Sequence, residues 1–351
     1  MKVLIIQQKM IGDVLTSSIL FEAIKTKYPS SELHYLINSH TVPVIQHNPF
    51  IDKLQIISPE IESSKIKFYK FLKSIQKENY DVVIDVYGKL GSALISLFSK
   101  APIKAAYYKK TTDFIYSHPI KRLKIPNHNS SLAIENRMKL LESIDVQFDN
   151  YHPKIFLTPS EIESAKKYLE SEFINLSKPL YMISVLGSSE IKTYPTAYMA
   201  MFIDAIVNAK PDAQLLFNYI PKQIDKAKEI YDLCLTDTKK HIHFNVFGKS
   251  LREFLAITHH CDALLGNEGG ANNMAKALGI PTFTLFSPYL NKKNWFGENE
   301  IPKHVAVHIS DYMPFSEMDI MAAKKNPKDY YMKFKPDYLL PELKEFLKST
   351  T

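Results

Sequence analysis

Four residues in the stretch CDALLGNEGGANNMAKALGIPTFTLFSP (261–288), Asn267, Glu268, Gly269 and Gly270, have the types and spacing to hold a phosphate beside a sugar. A carboxylate can accept from a pair of hydroxyls, two glycines let backbone come close to a ligand, and the free N–H groups of a following helix face an anion. A tight turn with an acid at the start of a helix would use the same residues. Asp13 offers a different chemistry. It follows the loop of Lys9, Met10, Ile11 and Gly12, and a carboxylate there can take a proton from a hydroxyl once burial or a neighbour brings its pKa towards working pH. Its structural alternative is a helix N-cap. The third candidate is the loop LGSSEIKTYP (186–195), where Ser188, Ser189 and Lys192 could hold a diphosphate and neutralise charge building on a departing phosphate. The plain alternative is a solvated loop with one surface lysine. A P-loop is excluded, because Ile191 occupies the position where a glycine must precede the lysine.

Other constellations lead away from chemistry. No G-x-G-x-x-G follows the first apolar run, which argues against a dinucleotide dehydrogenase. His241, His243, His259, His260 and Cys261 lack any C-x-x-C or H-E-x-x-H spacing and read as satisfied or exposed side chains, so no metal site is expected. Asp81 reads as a strand entry and Asp85 as a strand exit facing a cleft. The segment 104–124 is basic with interleaved aromatics. That pattern fits a nucleic-acid surface, a solvated face, or a patch for an anionic glycolipid at the inner face of a membrane. A net charge of +7 favours an anionic partner without choosing one.

Elements must position these residues, and their pattern is repetitive. Apolar runs at 3–6, 32–37, 54–57, 81–86, 180–185, 214–217, 242–245, 263–265 and 282–286 read as strands. Helical stripes at 13–28, 66–77, 93–99, 132–144, 160–172, 197–208, 222–233, 251–259 and 271–278 separate most of them. Strands that alternate with helices, and are apolar on both faces, belong to doubly wound parallel sheets. A chain of 351 residues exceeds one core, so two such α/β domains are expected, their carboxyl edges facing a central cleft. The domains are drawn at 1–158 and 159–330, the helix 160–172 bridging to the second, with a C-terminal helix in 331–351 packing back towards the first. After 288 the chain reads as irregular, with late helices at 317–324 and 341–347. Two cysteines, both in apolar contexts, and no apolar run of eighteen residues point to a cytoplasmic protein.

In order and spacing, five segments resemble the ADP-heptose:lipopolysaccharide heptosyltransferases, glycosyltransferase family 9, over nearly the whole chain. They are KVLIIQQKMIGDVLTSSILFEAIKTKYPSSELHYL at the start with NPFIDKL at 48–54, DVVIDVYGKLGSALISLFSKAP at 81–102, IKTYP at 191–195, GKSLREFLAITHHCDALLGNEGGANNMAKALGIPTFTLFSP at 248–288, and Trp295. The resemblance implies a GT-B fold of two Rossmann-like domains, the first on the acceptor side and the second binding the donor, and an inverting, metal-independent transfer with no cofactor. It makes Asp13 the catalytic base and Lys192 the phosphate-binding lysine, with hydroxyls at Ser188 and Ser189. It places the donor motif on Glu268, Gly269 and Gly270, gives Glu268 a hold on the sugar or ribose, and brings Lys249 near the site. Where the family usually has Asp-Thr/Ser-Gly-x-x-His, this chain has Glu268, Gly269, Gly270, Ala271, Asn272 and Asn273. A hydroxyl and an imidazole are thereby replaced by bare backbone and by the amide of Asn273, which joins the expected donor contacts. Gly12, Lys89 and Ser92, from the loops at the mouth of the first sheet, are expected on the acceptor side.

The expected partners are thus a nucleotide-sugar, with ADP the implied nucleotide, and a lipopolysaccharide-core or other surface glycan, with peripheral contact to the inner leaflet and no nucleic acid. A nucleotide-sugar 2-epimerase or hydrolase of similar shape, and a silent relative that only binds nucleotide or glycan, remain as alternatives.

Overall fold

The computed structural model describes residues 1–350. The chain packs as two units, Met1–Phe156 with Lys293–Asn299, and Leu157–Lys292 with residues 300–350. The first contains β1 (Lys2–Ile6), β2 (Glu32–Asn38), β3 (Lys53–Ile57), β4 (Val82–Asp85), β5 (Ile103–Tyr107) and β6 (His118–Ile120), in the order β3-β2-β1-β4-β5-β6. The second contains β7 (Leu180–Ser184), β8 (Gln214–Phe217), β9 (Ile242–His243), β10 (Ala263–Asn267), β11 (Thr282–Leu285) and β12 (His304–Val307), in the order β12-β11-β10-β7-β8-β9. Every pairing is parallel. Counted from its own first strand, each sheet has the order 3-2-1-4-5-6, the doubly wound arrangement.

Burial on both faces explains the unbroken apolar runs. Val3, Leu4, Ile5 and Ile6 are wholly buried, and Leu4 and Ile6 pack with Leu36 and Val83 under Leu72 and Ile75 of the helix Lys65–Lys77. In the second sheet successive residues part to opposite faces, as the two-residue period of a strand requires. Tyr181 and Ile183 join Phe202 and Ile203 of the helix Thr196–Ala209, while Leu180 and Met182 join Leu169 of the helix Pro159–Ser171 and Ile257 of the helix Leu251–His259.

Several expectations change. β5, β6 and β12 were not evident as strands, since IKAAY, HPI and HVAV are short and interrupted by Lys104, Pro119 and His304. The helix expected to begin at residue 93 begins at Leu90, and the one expected over 13–28 is two, Ile11–Ser17 and Ile19–Lys27, hinged at Ser18. The segment 293–299, drawn with the second domain, belongs to the first unit: the Asn299 N–H donates to the Asn129 carbonyl at 3.1 Å and its side-chain amide to Asn150 Oδ1 at 2.6 Å. The C-terminal helix Pro336–Ser349, expected to pack back towards the first domain, packs within the core of the second unit. Its stripe of Leu339, Leu343, Phe346 and Leu347 covers the sheet face beside the helix Thr196–Ala209, with Phe346 5.6 Å from Phe283 between ring centres.

One glycine allows β10 to lie where it does. Gly266 has φ 120°, and a Cβ there would stand 2.5 Å from the Ser184 carbonyl oxygen of β7. Gly266→Ala should therefore lower unfolding stability by about 2–4 kcal/mol through backbone strain and overpacking. Gly91→Ala, where a Cβ meets nothing within 4 Å, should not, and urea titration of both variants checks the contrast.

Candidate active site

In a doubly wound sheet the crevice for a ligand opens beyond the carboxyl ends of two neighbouring strands whose connections leave in opposite directions. Those neighbours are β1 and β4 in the first unit and β7 and β10 in the second. The chain leaving β1 carries Asp13 and that leaving β4 carries Lys89. The chain leaving β7 carries Lys192 and that leaving β10 carries Glu268. Each unit thus gathers its chemistry-bearing residues at its own switch point.

Asp13 is the third residue of the helix Ile11–Ser17, not its N-cap; that position is Met10, whose side chain caps nothing. A non-glycine residue at φ 66° costs roughly 1–2 kcal/mol, and Met10 carries that strain one residue before the helix. The Asp13 carboxylate is free of capping duty and instead accepts from Arg137 Nη2 at 2.8 Å. Arg137 is held in turn: its Nε donates to Ser17 Oγ at 2.9 Å, Nη1 donates to the Ala133 carbonyl at 2.8 Å, and its guanidinium lies 6.0 Å from the Trp295 ring centre. Asp13 remains one-third exposed and opens into a cavity of about 630 Å³ whose charged lining otherwise consists of Lys9, Lys89, Arg122 and Arg137. It is the one carboxylate there among the described residues.

Asp85 does not face a cleft. It is wholly buried, accepting from the Gly88 N–H at 2.8 Å and the Tyr116 hydroxyl at 2.6 Å; burial pushes its carboxyl up while those donors pull it down. Its task is to fix the turn that presents Lys89. Ser92 is likewise buried, exchanging hydrogen bonds with the Lys89 backbone at the start of the helix Leu90–Phe98, so its hydroxyl is used in capping and it acts on Lys89 rather than on a ligand. Gly12 lies in the first helical turn beside Asp13.

In the second unit the loop after β7 folds back on itself. A Cβ on Gly187 would come within 2.2 Å of the Lys192 carbonyl oxygen, and the Gly187 N–H donates to Thr193 Oγ1 at 3.1 Å. Asn267, wholly enclosed at the end of β10, pins the loop: its Nδ2 donates to the Ser184 and Val185 carbonyls at 3.0 and 2.9 Å, and its Oδ1 accepts from the Tyr194 N–H at 2.7 Å. Asn272 repeats the device one turn on, donating to the Asn267 carbonyl at 2.6 Å and accepting from Thr284 at 3.1 Å.

The result is that Lys192 Nζ stands 3.1 Å from Glu268 Oε1. That oxygen is buried and has no aligned hydrogen-bond donor despite the nearby ammonium, so the attraction is one of charge with the lone pairs left over. Gly269 then opens the helix Gly270–Ala277 without a side-chain cap, leaving first-turn N–H groups for an outside acceptor. Ser188 and Ser189 are exposed on the Lys192 loop, and Asn273 is half-buried in the first turn of the helix. Lys249 is not gathered with them. It lines a groove of about 480 Å³ between the helices Pro159–Ser171 and Leu251–His259, where Arg252 Nη2 and Glu161 Oε2 are 2.6 Å apart.

No group of three or more His, Cys, Asp or Glu side chains is placed to hold a metal ion among the described residues. His241 bonds to the Ala213 carbonyl and His260 to that of Ile162. Arg137, Asn272 and Thr193 are the positioning residues the sequence did not single out, and Asn267, singled out there as a ligand contact, spends its side chain on backbone. An arginine among apolar neighbours in LAIENRMKLL was the available signal for the first; the asparagines resemble ordinary turn residues until their partners are seen.

Two doubly wound parallel sheets, each with its polar residues at the switch point, make the chain an α/β protein of GT-B fold. A crystal structure of a glycosyl transferase family 9 protein from Veillonella parvula matches it with a TM-score of 0.83 at 16% identity, over 99% of this chain and 97% of that one. The Escherichia coli ADP-heptose lps heptosyltransferase II matches at 0.72 and 16% identity, over 99% of both chains. In sequence the chain is 25% identical over 307 residues to lipopolysaccharide heptosyltransferase 1 of Campylobacter coli, covering 85% of this chain and 87% of that one. The model of glycosyltransferase family 9 (heptosyltransferase) matches residues 68–321. The chain belongs to that family and is a glycosyltransferase.

Asn267→Ala should release the loop it pins. It strands the buried Tyr194 N–H and is expected to cost about 2–4 kcal/mol. Amide exchange at residues 187–194 should quicken while exchange in β1 and β4 stays unchanged; uniform quickening would deny Asn267 this local role.

Proposed function

We propose that this enzyme moves a sugar, heptose or a close relative, from an ADP-linked donor to a lipopolysaccharide-core or other surface glycan, with inversion and without a metal. The observation that carries the reading is the pairing of Lys192 with the unsatisfied, buried oxygen of Glu268 beside an uncapped helix start. A cation and N–H groups suit a diphosphate, and a lone-pair-rich carboxylate suits the hydroxyls of an adjoining sugar or ribose. The names of the relatives, which carry ADP-heptose and lipopolysaccharide, agree with it.

In this mechanism the second unit takes the donor. Lys192, Ser188, Ser189 and the N–H groups after Gly269 hold the diphosphate, Glu268 accepts from sugar or ribose hydroxyls, and Gly269 and Gly270 let backbone approach. Asn273 adds an amide to the same end. Lys249, which lines a different groove, is left out of the donor contacts. The first unit takes the acceptor, with Gly12 and Lys89 at its cavity. An acceptor hydroxyl gives its proton to the Asp13 carboxylate, which Arg137 holds in place, and its oxygen attacks the anomeric carbon. The bond from that carbon to the phosphate oxygen breaks, and its electron pair leaves with the nucleoside diphosphate, whose new charge Lys192 and the N–H groups offset. One carboxylate in the acceptor cavity suits a single displacement, which inverts the anomeric centre. A glycolipid acceptor places the enzyme on the cytoplasmic face of a membrane as a peripheral protein; no helix is long and apolar enough to span one among the described residues.

Asp13→Asn keeps the shape but loses the base, so kcat should fall by about 10²–10⁴, with donor affinity by calorimetry within twofold of wild type. An active Asp13→Asn enzyme would remove the assignment. Lys192→Ala should instead lower kcat/KM for the donor by about 10²–10³. Assays with donor alone serve as control, because turnover without acceptor would mark an epimerase or hydrolase.

A further inference from the structure

The cavity that holds Asp13 has a wall supplied from far along the chain. Between β11 and β12 the segment Lys293–Asn299 joins the first unit, and its residues Asn294 and Trp295 line the cavity. Trp295 is the one tryptophan in the 351 residues. The strap that carries it is fastened at several points. On either side of it Lys292 Nζ lies 2.6 Å from Asp311 Oδ1, and Glu300 pairs with Lys276. Within it, a Cβ on Gly297 would stand 2.8 Å from both the Asn129 carbonyl oxygen and Ser130 Cα, and the Asn299 N–H donates to that same carbonyl at 3.1 Å. Close backbone contact thus holds the strap, while the indole stays partly exposed. Three aromatic rings line the cavity among the described residues, Tyr87, Tyr107 and Trp295. Tyr107 is buried and already carries the Arg122 guanidinium 3.7 Å from its ring centre. Trp295 offers the largest ring, centred 6.0 Å from the guanidinium of Arg137, whose Nη2 is bonded to Asp13. One arginine side chain therefore spans from indole to carboxylate, close enough for a single sugar to meet both.

We propose that Trp295 is the platform for the acceptor sugar: the indole meets the C–H face of a pyranose ring, and a hydroxyl at the edge of that ring is presented to Asp13. A pyranose is amphipathic, its ring hydrogens making one face apolar and faintly positive, and an aromatic ring is negative over its face. The cations that line the cavity can bind hydroxyls from any side, but a flat wall selects which face of the sugar is turned inward, and so which hydroxyl reaches the base. Pockets for small polar ligands combine such apolar walls with a few convergent polar groups. A nucleobase also stacks on an indole. Here, however, the residues suited to a diphosphate, Lys192 and Glu268, belong to the second unit, whereas Trp295 belongs with Asp13 to the first. The inference rests on the reading of the Asp13 cavity as the acceptor site and adds to it the residue that sets how the sugar lies.

A single tryptophan makes the test residue-specific, because all indole emission of the full chain comes from this position. A deacylated lipopolysaccharide core oligosaccharide, added without donor, should shift the emission and shield it from iodide quenching, with the half-saturation found by calorimetry. ADP and inorganic polyphosphate should leave the emission in place. W295A and W295L should each raise KM for the oligosaccharide on the order of tenfold and lower kcat less, with W295F recovering most of the loss; melting temperature and ADP affinity check that the variants are folded. Oligosaccharide binding that leaves the emission unmoved, an equal response to ADP or polyphosphate, or variants that lose kcat at unchanged KM, as a mere prop for Arg137 would, each overturns the platform and leaves the acceptor reading standing. An oligosaccharide that neither binds nor accepts a sugar overturns the lipopolysaccharide reading, and the platform with it.

Discussion

Parallel strands joined by crossovers that part on either side of a first strand govern this molecule. When β1 leads to β2 on one side and β4 to β5 on the other, the two connections must part, and backbone cannot fill the gap they leave above the strand ends. The same divergence recurs between β7 and β10. Everything polar that matters is a consequence of placing short loops at those two gaps. Asp13 and Lys89 stand at one, Lys192 and Glu268 at the other, although these pairs are separated by long stretches of chain.

Holding such loops still falls to groups that touch no substrate. In the second unit the work is done by absence and by an amide: no side chain at Gly266, so β10 can approach the Ser184 carbonyl, and the Asn267 side chain, which spends both its ends on backbone. In the first unit a guanidinium does it. Arg137 divides its donors among Asp13, Ser17 and Ala133, so the carboxylate is oriented by a residue on a different helix. Pairing a partly buried acid with a cation that is itself anchored at two other points keeps the acid available from its open side.

The alternation of elements made the doubly wound sheets and the three reactive loops legible, because burial on both faces writes unbroken apolar runs and loops follow strands directly. Of the four edge strands, β3 and β9 were legible and β6 and β12 were not. β6 and β12 are covered on fewer sides, so their sequences tolerate Pro119 and His304 and lose the pattern. Asp13 was legible as a candidate but not as the partner of Arg137, which lies more than a hundred residues away and whose pairing no local period encodes. Asp85 and Ser92 had the types for chemistry, yet their polar atoms turn inward to fix the turn at Gly88 and the cap at Lys89. The C-terminal helix showed its stripe in the sequence, but which sheet the stripe would cover is a tertiary choice.

The donor end carries an electrostatic problem that its own residues resolve. A carboxylate beside a diphosphate would oppose it by about 4 kcal/mol per charge pair at 4 Å in a protein-like dielectric. Under the proposed function Glu268 would escape that penalty because Lys192 Nζ is 3.1 Å away. The lysine would cancel the carboxylate, leaving the helix start and its uncapped N–H groups to meet the diphosphate. With bare backbone at Gly269 and an amide at Asn273, no other side chain in this motif brings positive charge. In the proposed transfer Lys192 would quench Glu268 first and turn towards the phosphate as the donor bond breaks. Under the same proposal the free lone pairs of Glu268 would be satisfied by the hydroxyls of the sugar, completing a hydrogen-bond set that the protein alone leaves open.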